Sequence, residues 1–162
     1  MSPRRLPCDP RRRDALAALL ALACAPAARA ARQRVDDDGL RLGLDLPSDW
    51  IPIPRAEIVE AGERARAAGA DSAWTVRAAW QRVPHQRWFT LPHLLLESRP
   101  SAQAPATRPA RGAHELGRAG ARSVHRHRAS WSQPGLELQL TLLAWDDERE
   151  LFDAIVASLE TG

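Results

Sequence analysis

One apolar run decides how much of this 162-residue chain is available to build a domain. It extends from Ala15 to about Ala28, inside "DALAALLALACAPAARA" at residues 14–30. A spanning helix needs about 20 apolar residues, so the run is too short for one. Arg4, Arg5, Arg11, Arg12 and Arg13 precede it, and it ends in Ala28-Arg29-Ala30, the small–x–small pattern read by signal peptidase. Ala and Leu are strong helix formers, so a buried helix could be written with these residues. A core helix would explain neither the basic block nor the terminal pattern. The expectation is therefore a secretory signal over residues 1–30, cleaved after Ala30 so that Ala31 begins the mature chain. Two variants stay open. Arg12-Arg13-Asp14-Ala15-Leu16 loosely resembles a twin-arginine export signal. Ala21-Leu22-Ala23-Cys24 resembles a lipoprotein box, in which Cys24 would carry lipid and become the new N-terminus. That box usually starts with Leu, and plain cleavage is the preferred reading.

Removing the leader changes the electrostatics. The whole chain has a net charge of +3. Residues 1–30 hold six Arg and two Asp, a net of +4; the other 17 Arg face 18 acids, a net of −1. The basic balance belongs to the leader, and a global argument for nucleic acid goes with it. Cys8 and Cys24, the two cysteines, also precede Ala30. A mature chain without cysteine has no disulfide, no thiolate chemistry and no cysteine metal ligand. About 130 residues remain, enough for one ordinary core. Every basic residue is Arg, and there is no Tyr; this reads as compositional bias rather than function. No second hydrophobic stretch is long enough to span a membrane.

Residues 31–39, "ARQRVDDDG", read as a short polar lead, flexible and acidic. A single domain is expected over 40–162. Leu40, Leu42, Leu44 and Leu46 alternate with polar or small residues, which is a strand with one apolar face. Pro54 at a first helical turn and Gly69 past the end bracket a helix, with Glu60 and Arg64 placed to pair. "SAWTVRAAWQRV" (72–83) and "RWFTLPHLLLESR" (87–99) read as neighbouring strands, with Pro92 at an edge or bulge. Residues 98–113 carry a Pro/Ala/Arg rhythm and read as an exposed loop, followed by a short helix near His114. "SVHRHRASW" is a strand, Ser132-Gln133-Pro134-Gly135 a turn, and "LELQLTLLAW" a strand with Leu136, Leu138, Leu140 and Leu142 inward. Asp147 and Glu150 are spaced as a capping box for a last helix whose stripe is Leu151, Phe152, Ile155, Val156 and Leu159. The fold class is α+β, an antiparallel sheet with helices on one face.

Three segments, "LDLPSDWIPIP", "WFTLPHLLLES" and "ELFDAIVASLE", resemble uncharacterised exported bacterial proteins with a PsbP-like α+β sandwich. The resemblance spans roughly residues 40–160. The family's central segment normally carries two tyrosines, replaced here within Trp88-Phe89-Thr90-Leu91-Pro92-His93. The resemblance implies a fold and an exported location. It maps no catalytic residue onto this chain, and members of that fold mostly act as accessory or binding proteins.

Several residues are placed to carry chemistry. His125 and His127, two apart on a strand, share a face and could be two metal ligands, with His114 or Glu115 as a third. The flanking Arg122, Arg126 and Arg128 would oppose a cation, and the ordinary reading is a solvated strand face. With Arg108, Arg111 and Arg118 against the single acid Glu115, the same arginines could form a patch for anions or for a partner. Trp50, Trp74, Trp80, Trp88, Trp131 and Trp145 could stack on a ligand, although core packing is the commoner use. Asp36-Asp37-Asp38 lacks the glycine and distal glutamate of a calcium loop. No nucleophile elbow, phosphate-binding glycine loop or His-Glu-x-x-His is present, and no cofactor is expected.

These readings converge on an exported envelope protein acting as a non-enzymatic accessory or binding domain. Its partner would be another envelope protein or an envelope component. Two alternatives stand beside it: a small envelope hydrolase with carboxylate or histidine chemistry, and a purely structural domain. A concave pocket in which His and Asp or Glu groups converge is the observation that the hydrolase reading requires.

Overall fold

In a computed structural model of the chain, residues 31–37, 40–69, 73–83, 87–102 and 105–161 are described. Cys24, Ala28 and Ala30, and with them the expected leader, lie outside the described residues. The elements are β1 (Ala31–Asp37), β2 (Leu40–Leu46), β3 (Trp50–Pro52), α1 (Arg55–Ala67), β4 (Thr75–Arg82), β5 (His93–Pro100), β6 (Ala110–Ala119), β7 (Arg122–Gln133), β8 (Leu136–Ala144), α2 (Arg149–Ala157) and β9 (Glu160–Thr161). Among the described residues every strand pairing is antiparallel. Six strands form one sheet in the order β3-β4-β5-β8-β7-β6, and three form a second in the order β1-β2-β9. No described helix is long and apolar enough to cross a membrane.

The apolar alternation of β2 does what its period predicts. Leu40, Leu42, Leu44 and Leu46 are all buried, and they join Leu94, Leu96, Leu138, Leu140, Leu142, Phe152 and Ile155 in the main core. Fully burying a leucine contributes roughly 1.5–3 kcal/mol, so this face supplies most of the hydrophobic stabilisation. The core lies between the small sheet with α2 and the large sheet. A second, smaller cluster forms on the reverse of β4 and β5, where Ile58 of α1 meets Ile53 and Ala79. Ala79 and Trp80 are consecutive on a strand and belong to different clusters, so the two helices pack against opposite faces of the large sheet.

The α+β class, the antiparallel sheet and the two helices match the sequence reading; placing both helices on one face does not. The apolar stripe of α1 is thin, and Ile58 is its one buried residue. Such a helix can only cap a small cluster, and it takes the reverse face because α2 and the small sheet already fill the other. Residues 31–37, read as a flexible lead, form β1. Val35 is buried there, and Arg32 donates to Asp45 at 3.0 Å and also pairs with Glu160. These contacts tie an otherwise polar strand to β2 and β9.

The expected loop at 98–113 is shorter. β5 runs to Pro100 and β6 starts at Ala110. Between them, Thr107 exchanges hydrogen bonds with Ser132: its backbone N–H donates to the Ser132 carbonyl at 3.0 Å, and its hydroxyl accepts from the Ser132 N–H at 2.9 Å. The segment near His114 is strand rather than helix, because β6 extends the β7–β8 hairpin by pairing along β7. That hairpin turns at Pro134-Gly135, where Gly135 takes φ +82, a conformation that glycine adopts without steric cost. β5 begins at His93, so Pro92 lies just before it.

A charged contact ties the end of β4 to the start of α2. Arg82 of β4 binds Glu148, just before α2, through two parallel hydrogen bonds of 2.8 and 2.6 Å. Its Nε lies 3.3 Å from Asp49, and its guanidinium sits 5.2 Å above the Trp50 ring. A forked, partly buried pair is stronger than an exposed single contact. Arg82→Ala is expected to destabilise the fold by about 2 kcal/mol in urea denaturation, with Arg82→Lys recovering only part, since lysine lacks the fork. Full recovery by lysine would show that charge alone matters here.

Candidate functional site: a histidine–aspartate corner

β7 is long enough to run past the core, and its alternation places different chemistry on its two faces. Ala129 and Trp131 point into the main core. His127 and His125 continue that face toward the sheet margin, so burial falls from His127, 3% exposed, to the half-buried His125. β6 pairs in a register that sets His114 opposite His127 and Leu116 opposite His125. A register shift between Arg111 and His114 precedes this pair. Gly112 sits in that bulge, where a Cβ would come within 2.6 Å of the Arg128 carbonyl oxygen, so only glycine permits the close approach.

The three imidazoles stack. His114 and His127 have ring centroids 4.7 Å apart at 14°, and His114 and His125 lie 5.3 Å apart at 18°. The fourth member is Asp147, from the connection between β8 and α2. Its Oδ1 is 3.2 Å from His127 Nε2, while His114 Nε2 and His125 Nδ1 are 3.1 Å apart. One donor atom from each of His114, His125, His127 and Asp147 lies within 4.8 Å of all the others. These are the side chains that could hold a cation. Phe152 of α2 rests 5.8 Å from the His127 ring, and a cavity of about 260 Å³ opens beside the cluster, with Gly112, His114, His127, Arg149 and Phe152 among its walls.

The electrostatics follow from this crowding. Burial holds the His127 ring below its ordinary pKa, and the charge of His114 adds to the effect. Asp147 titrates below the usual carboxylate range. Desolvation pushes it upward, but the charge and backbone N–H of Arg149, followed by His127 and His114, outweigh that push. Asp147 Oδ1 accepts the Arg149 backbone N–H at 3.2 Å, and the Arg149 guanidinium reaches both Asp147 Oδ2 (3.6 Å) and His114 Nδ1 (3.4 Å). The capping box expected from Asp147 and Glu150 is not formed. Glu148 occupies the cap position without a side-chain hydrogen bond, and Asp147 is turned to the histidines.

The arginines lie elsewhere. Arg126 and Arg128 alternate with the histidines and therefore face the opposite side of the sheet. There they share one carboxylate, Glu115, at 3.2 and 3.5 Å. Glu115 is thereby excluded from the histidine group, and His114 is the residue that joins it. Arg122 stacks over Trp145 at 4.3 Å. The expected anion or partner patch is thus divided between an ion-paired group and a stacked guanidinium. The tryptophans are divided too: Trp50, Trp80 and Trp131 are core residues, whereas Trp74 lies under Arg99 at 4.8 Å. Sequence reasoning missed Asp147 and Arg149 as partners of the histidines, because nothing in the local pattern around residue 147 points twenty residues back along the chain.

No family model and no curated protein matches this sequence. Among solved structures, the solution structure of cyanobacterial PsbP (CyanoP) from Synechocystis sp. PCC 6803 is similar. It shares 11% identity, with 86% of this chain and 97% of that one covered, at a TM-score of 0.44.

Proposed function

We propose that this chain is an exported protein of the bacterial envelope and that it acts as a binding domain through the histidine–aspartate corner. The basic, apolar and small–x–small order of residues 1–30 supports export. The observation that carries the binding role is the convergence of three histidines and one aspartate, from three separate segments, onto donor atoms within 4.8 Å of one another. Local sequence does not produce such a meeting; it needs a specific register and a specific loop path. A small hydrolase is the second reading, favoured by the cavity beside His114 and His127.

Intact-mass measurement on fractionated cells tests export. A soluble periplasmic species starting at Ala31 is expected; a lipid-bearing species starting at Cys24 would keep the envelope assignment but fix the protein to a membrane. A full-length cytoplasmic chain would overturn it. Native mass measurement of the same purified protein tests the binding role. The wild type should carry an adduct that the double variant His114→Ala/His125→Ala lacks. Identical native masses for the two would remove the corner as a binding site. Turnover of ester or phosphoester substrates, abolished by the same variant, would favour the hydrolase.

A further inference from the structure

We propose that His114, His125, His127 and Asp147 form a site for one divalent d-block cation of the zinc class. This rests on the reading of the corner as a binding site, and it names the ligand. Three imidazole nitrogens with one carboxylate oxygen are a borderline donor set. They suit zinc, and copper(II) as its competitor, rather than magnesium or calcium, which take oxygen ligands.

The spacing fits a small tetrahedral ion. Ligand atoms about 2.0–2.1 Å from zinc stand roughly 3.3 Å from each other. Two edges of the group, 3.1 Å and 3.2 Å, already have that length. The others reach 4.8 Å at most, so drawing the group together takes side-chain rotation rather than strand movement.

The near-parallel rings show which residues move. An imidazole donates in its ring plane, so stacked rings cannot all aim at one ion until some turn about χ2. His127 is held by burial and by Phe152, and it is the fixed ligand. His114 and Asp147 are exposed and His125 is half-buried, and these close onto the ion.

A second, independent observation points to a ligand. His127 Nε2 is buried and has no hydrogen-bond partner, although Asp147 Oδ1 lies 3.2 Å away, outside hydrogen-bond geometry. A buried nitrogen left in that state normally has an explanation, and an ion between the two atoms supplies one. Four protein ligands make a closed site of the structural or carrier kind; a catalytic zinc site keeps a position open for water.

Arg149 is the competitor. Its guanidinium lies against both Asp147 Oδ2 and His114 Nδ1 and supplies positive charge where the cation would add more. It must withdraw, or keep only Oδ2, when an ion is held. Its removal is therefore expected to tighten binding, an effect opposite to that of removing a ligand.

The test uses the protein isolated from its own cells, stripped with a chelator and titrated calorimetrically with zinc chloride. One ion per chain is expected. His114→Ala, His125→Ala and Asp147→Asn should each weaken it at least tenfold, Arg149→Gln should tighten it several-fold, and Glu115→Gln, on the reverse face, should leave it unchanged. His127 is not substituted, because its loss would disturb the core. X-ray absorption should show nitrogen and oxygen neighbours only. Zinc bound equally well by the wild type and all three ligand variants would place the ion elsewhere and overturn the inference. If the corner holds an adduct in the native mass measurement but the stripped protein takes no zinc, the binding role survives and the metal assignment falls. If neither is seen, both fall.

Discussion

Leu142→Ala is expected to lower the stability of this domain by about 2–5 kcal/mol and its Tm by roughly 10 °C. Leu142 is fully buried in the middle of the large sheet. It pairs with Leu94 on one side and with His127 on the other, so its side chain lies between the core and the histidine corner. Truncation removes buried apolar area and leaves a cavity that flanking strands cannot close, since both are held in register by the ladder. The same cavity frees the His127 ring to rotate. Zinc affinity should therefore fall in the folded variant although no ligand has been touched, whereas Leu46→Ala, at a core position on β2, should cost stability alone. Thermal denaturation and zinc titration of both variants check this. A Leu142→Ala protein within 1 kcal/mol of wild type would mean that the site collapses freely around the loss.

The pH dependence of stability is expected to be dominated by His93. This ring is 8% exposed, and burial pushes its pKa down to about 4, with a hydrogen bond to the Thr90 backbone acting weakly the other way. Its Nδ1 has no partner, and Phe89 meets the ring edge-on at 6.0 Å. In the unfolded chain a histidine titrates near its ordinary value of about 6.5. Between pH 6.5 and about 4, the unfolded chain therefore takes up a proton that the folded chain refuses. Stability is fully present above pH 6.5. It is lost as pH falls toward 4, by at most about 1.4 kcal/mol per pH unit and roughly 3 kcal/mol in all. His93→Gln should flatten that part of the profile. His127 is also held low by burial and contributes in the same direction, so the readout is the difference between wild type and variant in urea melts at pH 7.5, 6 and 4.5. Equal slopes for the two proteins would show that His93 is hydrated or partnered in the fold.

Much of the architecture was legible along the chain, because it depends on local period. The alternation in β2 and in the β7–β8 hairpin, and the 3.6-residue stripe of α2, state which side of each element must leave water. The pairing of His125 and His127 on one face follows from the same two-residue period. Elements without a strong apolar pattern were not legible. β1 is mostly polar, and it becomes a strand by pairing along its length with β2, with Val35 buried and Arg32 bridging to β2 and β9. The described side chains of β6 are exposed, and its ladder with β7 makes it a strand.

Residue order along the chain is enough to set the class of the domain, an antiparallel α+β fold with a leucine core. It did so because burying alternate leucines is a large, local and directional requirement. It also presented three of the four corner residues, His125 and His127 outright and His114 as one of two candidates for the third. It took the folded chain to set His114 against His127 rather than in a helix, to send Glu115 and the arginines to the reverse side, and to bring Asp147 to the histidines rather than into a capping box with Glu150. Each of those outcomes depends on strand register and on where the β8–α2 connection crosses the sheet. A shift of one residue in the β6–β7 pairing would send His114 to the other face. Such long-range geometry leaves no trace in the spacing of residues along the chain.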